Sequence, residues 1–350
     1  MHEELFIGID IGGTKTAVVS GLKEGGALSK RVFPSVDQAG PRSPESMIGD
    51  ILEAILSLVE EPEALGRDLA AIGISCGGPL DEAQGLIVSP PNLPLWRNIP
   101  IISILSEATG VPAFLENDAN ACAVAEWREG AGRGFASMVF LTFGTGLGAG
   151  IIIDGKLWRG ASGMAGELGH WRLSDEGPVG YGKEGSFEGW CSGGGMAQRI
   201  ASRRLALAQG GGVAPAAATT TAATAPLASG SGSGLAGVED VGALALLARE
   251  GDPEALAIFR KTGLMLGRGL ALVVDFLNPE AIILGSIFAR TKDLLWPPAA
   301  EALRSEALGR SLGACAILGA GLGEEIGDRA ALWAARYGHE FSTRKSEDIA

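Results

Sequence analysis

The residues able to do chemistry gather in three places. Two are turns of one design: Asp10-Ile11-Gly12-Gly13-Thr14-Lys15, and the run from Thr142 through Gly144, Thr145 and Gly146 to Gly150. In each, an apolar strand breaks at glycines and resumes as an apolar strand. Bare N–H groups in a tight turn form a concavity for an anion that a side chain would hold off, and a phosphate fits it. One such hairpin reads equally well as a turn that merely needs positive φ. Two in one chain point to phosphate and to an internal duplication. The third place is Glu116-Asn117-Asp118, where a short strand meets a helix; on the residues alone, Asp118 reads as a helix N-cap and Asn117 as a turn residue.

Two familiar phosphate motifs are excluded. No Gly-Lys-Ser/Thr closes either turn as a Walker A loop requires. The glycines of a dinucleotide fingerprint must open a helix, whereas here strands continue.

The elements that position these turns follow from pattern. Ala27–Phe33 reads as a third strand. Ser43 and Pro44 start a helix with Met47, Ile48, Ile51, Leu52, Ile55, Leu56 and Val59 as its core stripe. Leu69–Ser75 is a buried strand opening at Cys76-Gly77-Gly78-Pro79, and ligands of open α/β sheets gather at such ends. Asn92 and Trp96 lie in the loop beyond. Ile101–Gly110 is helical, Ala113–Leu115 a strand, and a helix follows from Ala119 to about Trp127. A loop rich in glycine follows His170 as far as Ser192, and a helix begins near Gly195. Helices are expected at Val241–Glu250, Pro253–Phe276 and Glu325–Tyr337, and strands at Ala281–Leu284 and Ala314–Leu318. The stretch 209–237 has few large apolar residues and reads as a flexible insert. The charged tail from His339 reads as loose.

With 350 residues the chain can bury two cores. Its net charge of −13 lacks the basic cluster that nucleic acid demands, and no apolar run of about 18 residues spans a bilayer. Met1 stands close to the first strand, so neither a secretory leader nor an N-terminal DNA-binding domain is expected, and the cytoplasm is the expected location. Cys76, Cys122, Cys191 and Cys315 form no CxxC pair and read as isolated buried thiols.

Two strand–turn–strand phosphate loops resemble those of the sugar kinase, actin and heat-shock-70 ATPase superfamily. Within it the chain is similar to the ROK family on three motifs: the Asp10–Lys15 turn, Glu116-Asn117-Asp118 with Asn120 and Glu126, and Gly144–Gly150 followed by Gly163-Met164-Ala165-Gly166-Glu167-Leu168-Gly169-His170. The resemblance implies an α/β, two-domain actin-like ATPase (ribonuclease H-like) fold with a cleft between its lobes. The small domain would be 1–118 with the C-terminal helix at about 325–338, and the large domain 119–324. It also implies an ATP-dependent kinase acting on a hexose or N-acetylhexosamine, with the 6-hydroxyl as the expected acceptor. Asp118 becomes the general base; Gly78, Asn92, Asn117, Glu167, His170 and Glu188 hold the sugar. Asp10 orients Mg2+ through water, and Gly12, Gly13, Thr14, Lys15, Gly144, Thr145 and Gly146 meet the phosphates. Gly285 and Ser286 flank the adenine. Sugar and ATP are the expected partners, without nucleic acid or membrane, in a homodimer. A silent sugar sensor and a polyphosphate-dependent kinase are the alternative readings. Most kinases of that family hold zinc with the signature histidine and a CxCGxxGCxE loop. Here the corresponding stretch is VGYGKEGSFE, with Val179, Tyr181 and Ser186 at the cysteine positions. No structural zinc is therefore expected, and packing of Trp171, Tyr181, Phe187 or Trp190 would hold the loop instead.

Overall fold

The computed structural model describes residues 3–208, 234–235, 238 and 240–347. The expected insert at 209–237 lies outside them except for residues 234 and 235. Strands β1 (Leu5–Ile11), β2 (Lys15–Leu22) and β3 (Ala27–Pro34) form an antiparallel meander. Helix α1 (Pro44–Val59), β4 (Leu69–Cys76), α2 (Ile101–Thr109) and β5 (Ala113–Asn117) complete a sheet ordered β3-β2-β1-β4-β5, with β4 and β5 parallel to the sense of β1. After α3 (Asp118–Arg128) the plan repeats. Strands β6 (Met138–Leu141), β7 (Ala149–Ile153) and β8 (Lys156–Leu157) make a second meander, and β9 (Ala281–Leu284) and β10 (Ala316–Gly319) add in parallel, giving the order β8-β7-β6-β9-β10. The duplication suggested by the two hairpins is thus present in the topology of whole sheets.

The first sheet is covered on both faces because its strands are apolar on both. Along β1 the side chains alternate: Ile7, Ile9 and Ile11 pack with α1, while Phe6 joins Val19 and Ala71 against the last helix, α8 (Ile326–Glu347). Helix α1 begins as expected, with Ser43 Oγ accepting the Ser46 amide and Pro44 in the first turn. Its buried stripe is Met47, Ile48, Ile51, Ala54, Ile55 and Leu58; Leu56, expected on that face, is 63% exposed. At 3.6 residues per turn Leu58 falls in line with Ile51 and Ile55, and Leu56 falls opposite.

Helices are exchanged between the halves. Helix α3 leaves the first sheet at β5 yet packs on the second, its Ala123 and Val124 joining Met138, Phe140 and Ile152. Helix α8 follows β10 of the second sheet yet lies on the first, with Leu332 and Ala335 against Phe6 and Ala71. The two meet through Ala121, Ala125 and Ala330. Both seats are too close for side chains. A Cβ on Gly73 would stand 2.1 Å from the Ala335 amide nitrogen, and one on Gly150 would stand 2.5 Å from the Ala123 Cβ.

Three features depart from the sequence expectation. Helix α8 continues through the stretch expected to be a loose tail, and His339 sets its ring edge-on to Phe6 at 5.8 Å and its Nε2 3.7 Å from Glu4. Gly338 is a contact point within the helix, where a Cβ would meet the Phe114 ring at 2.3 Å. Between Ser286 and Ala314, where no element is expected, runs α7 (Ile287–Glu306), packed on α6 (Pro253–Leu277). Pro297 and Pro298 argue against a helix there, but Pro298 fills the space over Gly263, where a Cβ would stand 2.5 Å from its Cγ. Helix α4 (Gly193–Ala208) starts two residues earlier than expected, and α5 (Val241–Arg249) lies where expected. Among the described residues no helix is long and apolar enough to cross a membrane.

Glu126 pins this exchange. It is fully buried on α3, and its Oε2 accepts the Ala131 and Gly321 amides at 2.8 and 3.0 Å while its Oε1 accepts Leu322 at 2.9 Å. It therefore ties the end of α3 to the segment leading into α8. Glu126→Ala is expected to lower unfolding stability by about 3 kcal/mol, because amides bonded to a charged acceptor lose it inside the protein. Urea denaturation measures this, and a loss under about 1 kcal/mol would mean that water replaces the carboxylate.

Candidate active site

Asp10 ends β1 beside the first glycine turn. That turn closes on itself: the Gly12 amide donates to the Lys15 carbonyl at 3.1 Å, and Ser35 Oγ donates to the Gly12 carbonyl at 2.6 Å. Gly13 is approached by protein, since a Cβ there would stand 2.7 Å from both the Cβ and the carbonyl oxygen of Asn92. The Asn92 loop therefore rests on the first glycine turn. Thr14 and Lys15 are exposed at its tip.

Strand β5 and α3 deliver the next group. Asn117 is the helix cap, its Oδ1 accepting the Ala119 and Asn120 amides at 3.0 and 3.3 Å. The capping role expected for Asp118 thus falls one residue earlier, which leaves the Asn117 Nδ2 facing Gly78 and places Asp118 in the first turn of the helix. A Cβ on Gly77 would be 3.7 Å from Asp118 Oδ2 and 3.8 Å from both side-chain amide atoms of Asn92, so these three residues share one small space.

From the second half come Glu167, His170 and Glu188. His170 Nε2 is 3.8 Å from Glu167 Oε2. Glu188 Oε2 accepts the Leu147 amide at 3.0 Å, beside Gly146, where a Cβ would clash with it at 2.7 Å. One carboxylate oxygen of Glu188 therefore fastens the segment that carries it to the second glycine turn. That turn is also held by two amides absent from the sequence expectation: Gly193 donates to the Gly144 carbonyl at 2.8 Å and Gly194 to Thr145 at 3.0 Å. The glycine run at the start of α4 was a readable signal for this contact. Gly285 donates its amide to Leu141 at 3.0 Å, and Ser286, with φ 49° and ψ −113°, holds an unusual conformation for a serine at the head of α7, with Oγ facing Gly144.

Arg159 was not anticipated. It bridges Glu82 at 3.2 Å and Glu116, the residue before Asn117. No local sequence pattern marks it, because its partners lie far away along the chain.

The electrostatics tie these groups together. Burial, then Asp118 and Asp328, push the Asp10 carboxyl up from 3.8 to about 7, with Lys15 and Lys30 acting against them. Asp118 opens onto the cleft, but the protein surrounding it disfavours its charge and raises its pKa, while the Ala119 amide and its own amide pull the other way. Glu167 is also raised, by burial first and by Glu188 and Asp118; His170 opposes this. Carboxylates that resist charging, set between two glycine turns, suit a site that receives a cation or hydroxyl donors.

The zinc expectation can be set against the geometry. Val179 and Tyr181 belong to a short hairpin, Val179–Gly180 paired with Lys183–Glu184. The buried Ser186 hydroxyl accepts the Gly189 amide and donates to the Gly180 carbonyl. Cys191 is buried, and its Sγ donates to the Thr262 carbonyl at 3.6 Å. Val179, Tyr181 and Ser186 offer no thiolate, so with Cys191 and His170 alone this donor set does not fit the four ligands of a closed zinc site. Phe187 is fully buried, and Trp190 donates from Nε1 to Ser174 Oγ at 2.8 Å.

Matching sheets with exchanged helices, and two glycine turns facing a carboxylate group, define a two-domain actin-like ATPase fold. The ROK family model matches residues 6–336, and the chain belongs to the ROK family. It is 34% identical over 327 residues to the glucokinase of Streptomyces coelicolor, covering 92% of this chain and 95% of that one. The ROK hexokinase of Thermus thermophilus superposes with a TM-score of 0.75 at 31% identity, covering 96% and 99% of the two chains. A ROK glucokinase of Streptomyces griseus in complex with glucose and AMPPNP gives 0.72 at 31% identity, covering 95% and 100%.

The raised Asp10 carboxyl has a consequence for stability. The folded chain binds that proton more tightly than the unfolded chain, so its stabilisation is complete below pH 3.8 and is lost as pH rises to about 7. Metal-free Asp10→Asn is expected to be more stable than wild type at about pH 8 and to match it at about pH 4. Parallel urea titrations with chelator present check this, and an Asn variant that is weaker at both pH values would contradict the burial argument.

Proposed function

We propose that this protein is an ATP-dependent sugar kinase that transfers the γ-phosphoryl group to a hydroxyl of a hexose or N-acetylhexosamine, the 6-hydroxyl being the expected acceptor. The observation that carries the reading is the space around Gly77 shared by Asp118 and Asn92, with the Asn117 Nδ2 at the neighbouring Gly78. The likeness over nearly the whole chain to a glucokinase, and to a glucokinase complexed with glucose and a nucleotide, supports it.

In this reading Asn92, the Nδ2 of Asn117, Glu167, His170 and Glu188 bind sugar hydroxyls. Carboxylates and amides suit that task because they pair with vicinal hydroxyls and leave costly unpaired groups when one is missing. Asp118 accepts the proton of the attacking hydroxyl as the oxygen bonds to the γ-phosphorus and ADP departs. Its raised proton affinity favours that role, since a base with a pKa nearer the working pH transfers protons more effectively. The Gly12–Lys15 and Gly144–Gly146 turns align the phosphates. Asp10 fits the role of orienting a hydrated Mg2+, because its buried carboxyl lies among like charges that a cation would relieve. The ion would supply charge neutralisation at the phosphates; alignment and neutralisation carry most of such a transfer. Gly285 and Ser286 would flank the base of the nucleotide.

The domain division belongs to the same proposal: one lobe built on the first sheet with α8, the other on the second sheet with α3, and hinges at the start of α3 and before α8. Closing the lobes would exclude water that otherwise hydrolyses ATP.

Asp118→Asn is expected to leave sugar and nucleotide affinity nearly unchanged and to lower kcat on the order of 10²–10⁴-fold, the range for a lost general base. Coupled ADP-release assays across a panel of hexoses and N-acetylhexosamines measure turnover, and calorimetry measures binding. Turnover close to wild type in the variant would remove Asp118 from this role, and no ADP release with any sugar would remove the kinase reading.

A further inference from the structure

We propose that Tyr181 is a positioning residue that fixes the His170 imidazole by stacking on it. The inference rests on the reading of His170 as a sugar ligand. The two rings lie 3.8 Å apart between centroids at an interplanar angle of 22°.

The backbone gives a reason to look for a role. Tyr181 and Gly182 are the two loop residues of the hairpin in which Gly180 pairs with Lys183. Their φ angles are 53° and 68°, both in the left-handed region. A two-residue hairpin loop with positive φ at both positions favours Asn-Gly, because Asn tolerates that region and an aromatic residue does not. Tyr181 is therefore a poor residue for its own turn. Burial does not explain it either, since the side chain is 49% exposed. What it gains is the face of His170 and a place beside Glu188, whose charge holds the Tyr181 phenol above its ordinary pKa after burial has raised it.

The surroundings are shaped to admit the ring. Gly169 leaves it room, as a Cβ there would come within 3.0 Å of Tyr181 Cε2 and 3.4 Å of the Glu188 Cβ. Lys183, from the same hairpin, donates to the His170 carbonyl at 2.7 Å. The hairpin thus grips both the backbone and the ring of His170. A stacked ring cannot swing out of its plane, yet both of its nitrogens stay free at the edge. One edge faces Glu167, with Nε2 3.8 Å away. An aromatic clamp therefore orients this histidine and leaves its hydrogen-bonding atoms available for a hydroxyl, whereas a metal would take one of them.

The test uses Tyr181→Asn, which suits the turn better, and Tyr181→Phe, which keeps the stack. The chain has three histidines, so the His170 ring resonances can be assigned by their loss in His170→Gln. In wild type and in Tyr181→Phe these resonances are expected to be shifted upfield by the stacked ring, and in Tyr181→Asn to return to ordinary values. With glucose, or whichever sugar of the panel gives turnover, Tyr181→Asn should raise the sugar KM roughly 3- to 10-fold, the worth of an aromatic pair. The KM for ATP should stay unchanged, the melting temperature should be equal or higher, and Tyr181→Phe should keep a sugar KM near wild type. Unshifted His170 resonances in wild type, or a shift that survives in Tyr181→Asn, would overturn the proposal. So would a Tyr181→Asn protein that is less stable but has an unchanged sugar KM, because Tyr181 would then serve the loop alone. If wild type phosphorylates no sugar, the kinase reading fails, while the resonances still decide the stack.

Discussion

The structure depends on the close seating of two exchanged helices. Helix α8 lies so near the first sheet that Gly8 and Gly73 leave no room for a Cβ, and α3 lies equally near Gly150 of the second. At such distances the helices approach as bare backbones with alanines, so many weak contacts replace a few large side chains. Each sheet is then covered by a helix that belongs in sequence to the other half. Neither half can complete its core alone, and the first turn of α3 is forced to stand where the sheets face each other. Asp118 occupies that first turn, so the packing of alanines on glycines is what places the carboxylate. Glu126, one face further along α3, fixes the helix at its far end.

Around Asp118 the chain collects more negative charge than its solvation supports. Asp10, Asp118 and Glu167 are all shifted toward the neutral form, each by burial before anything else. Lys15 and Lys30 offset only part of this at Asp10. Such an arrangement is unfavourable for the empty site and favourable once a cation or a set of hydroxyls arrives, so folding energy is held in reserve for binding. The proposed kinase reading uses this asymmetry: the metal and nucleotide would relieve Asp10, and the sugar would relieve Glu167 and Asp118. Arg159 works in the same direction from the side, holding Glu82 and Glu116 together just before Asn117. A single guanidinium between two carboxylates holds the end of β5 against the loop beyond β8, and so steadies the strand that carries the site.

Much of this was legible in the chain, for identifiable reasons. The hairpins could be read because glycine between apolar strands has few other uses, and the repeated sheet order followed from them. Helix α1 could be read from Ser43, Pro44 and its stripe. What could not be read depended on partners distant in sequence. Helix α7 was hidden because Pro297 and Pro298 carry a local signal against a helix, and only Gly263 on α6 explains how the second is accommodated. The extension of α8 was hidden because it rests on partners distant in sequence, Phe114 beneath Gly338 and Phe6 beside His339. Several site glycines read as spaces for phosphate, and Gly13 also makes room for Asn92 and Gly146 for Glu188. A glycine signals close approach without naming what approaches.

The same ambiguity affected Glu116-Asn117-Asp118, where helix capping and catalysis looked like rival uses of one acidic residue. In the structure the cap falls to Asn117, and the proposed reading leaves catalysis to Asp118. Asn117 satisfies the orphan amides with Oδ1, which is the ordinary task of a cap, and still presents Nδ2 toward Gly78. Asp118 sits in the first helical turn with its Oδ1 accepting the Ala119 amide at 2.8 Å, where the helix dipole and nearby amides stabilise a carboxylate. Burial raises its proton affinity and those amides lower it, so its readiness to accept a proton is set by two opposing terms fixed by the same helix end. A change that lengthened α3 by one residue at its start would disturb the cap together with the base and sugar contact that the proposed kinase reading assigns to Asp118 and Asn117. Local stability and chemistry cannot be altered separately at this point of the chain, and the packing of α3 on Gly150 keeps the point in place.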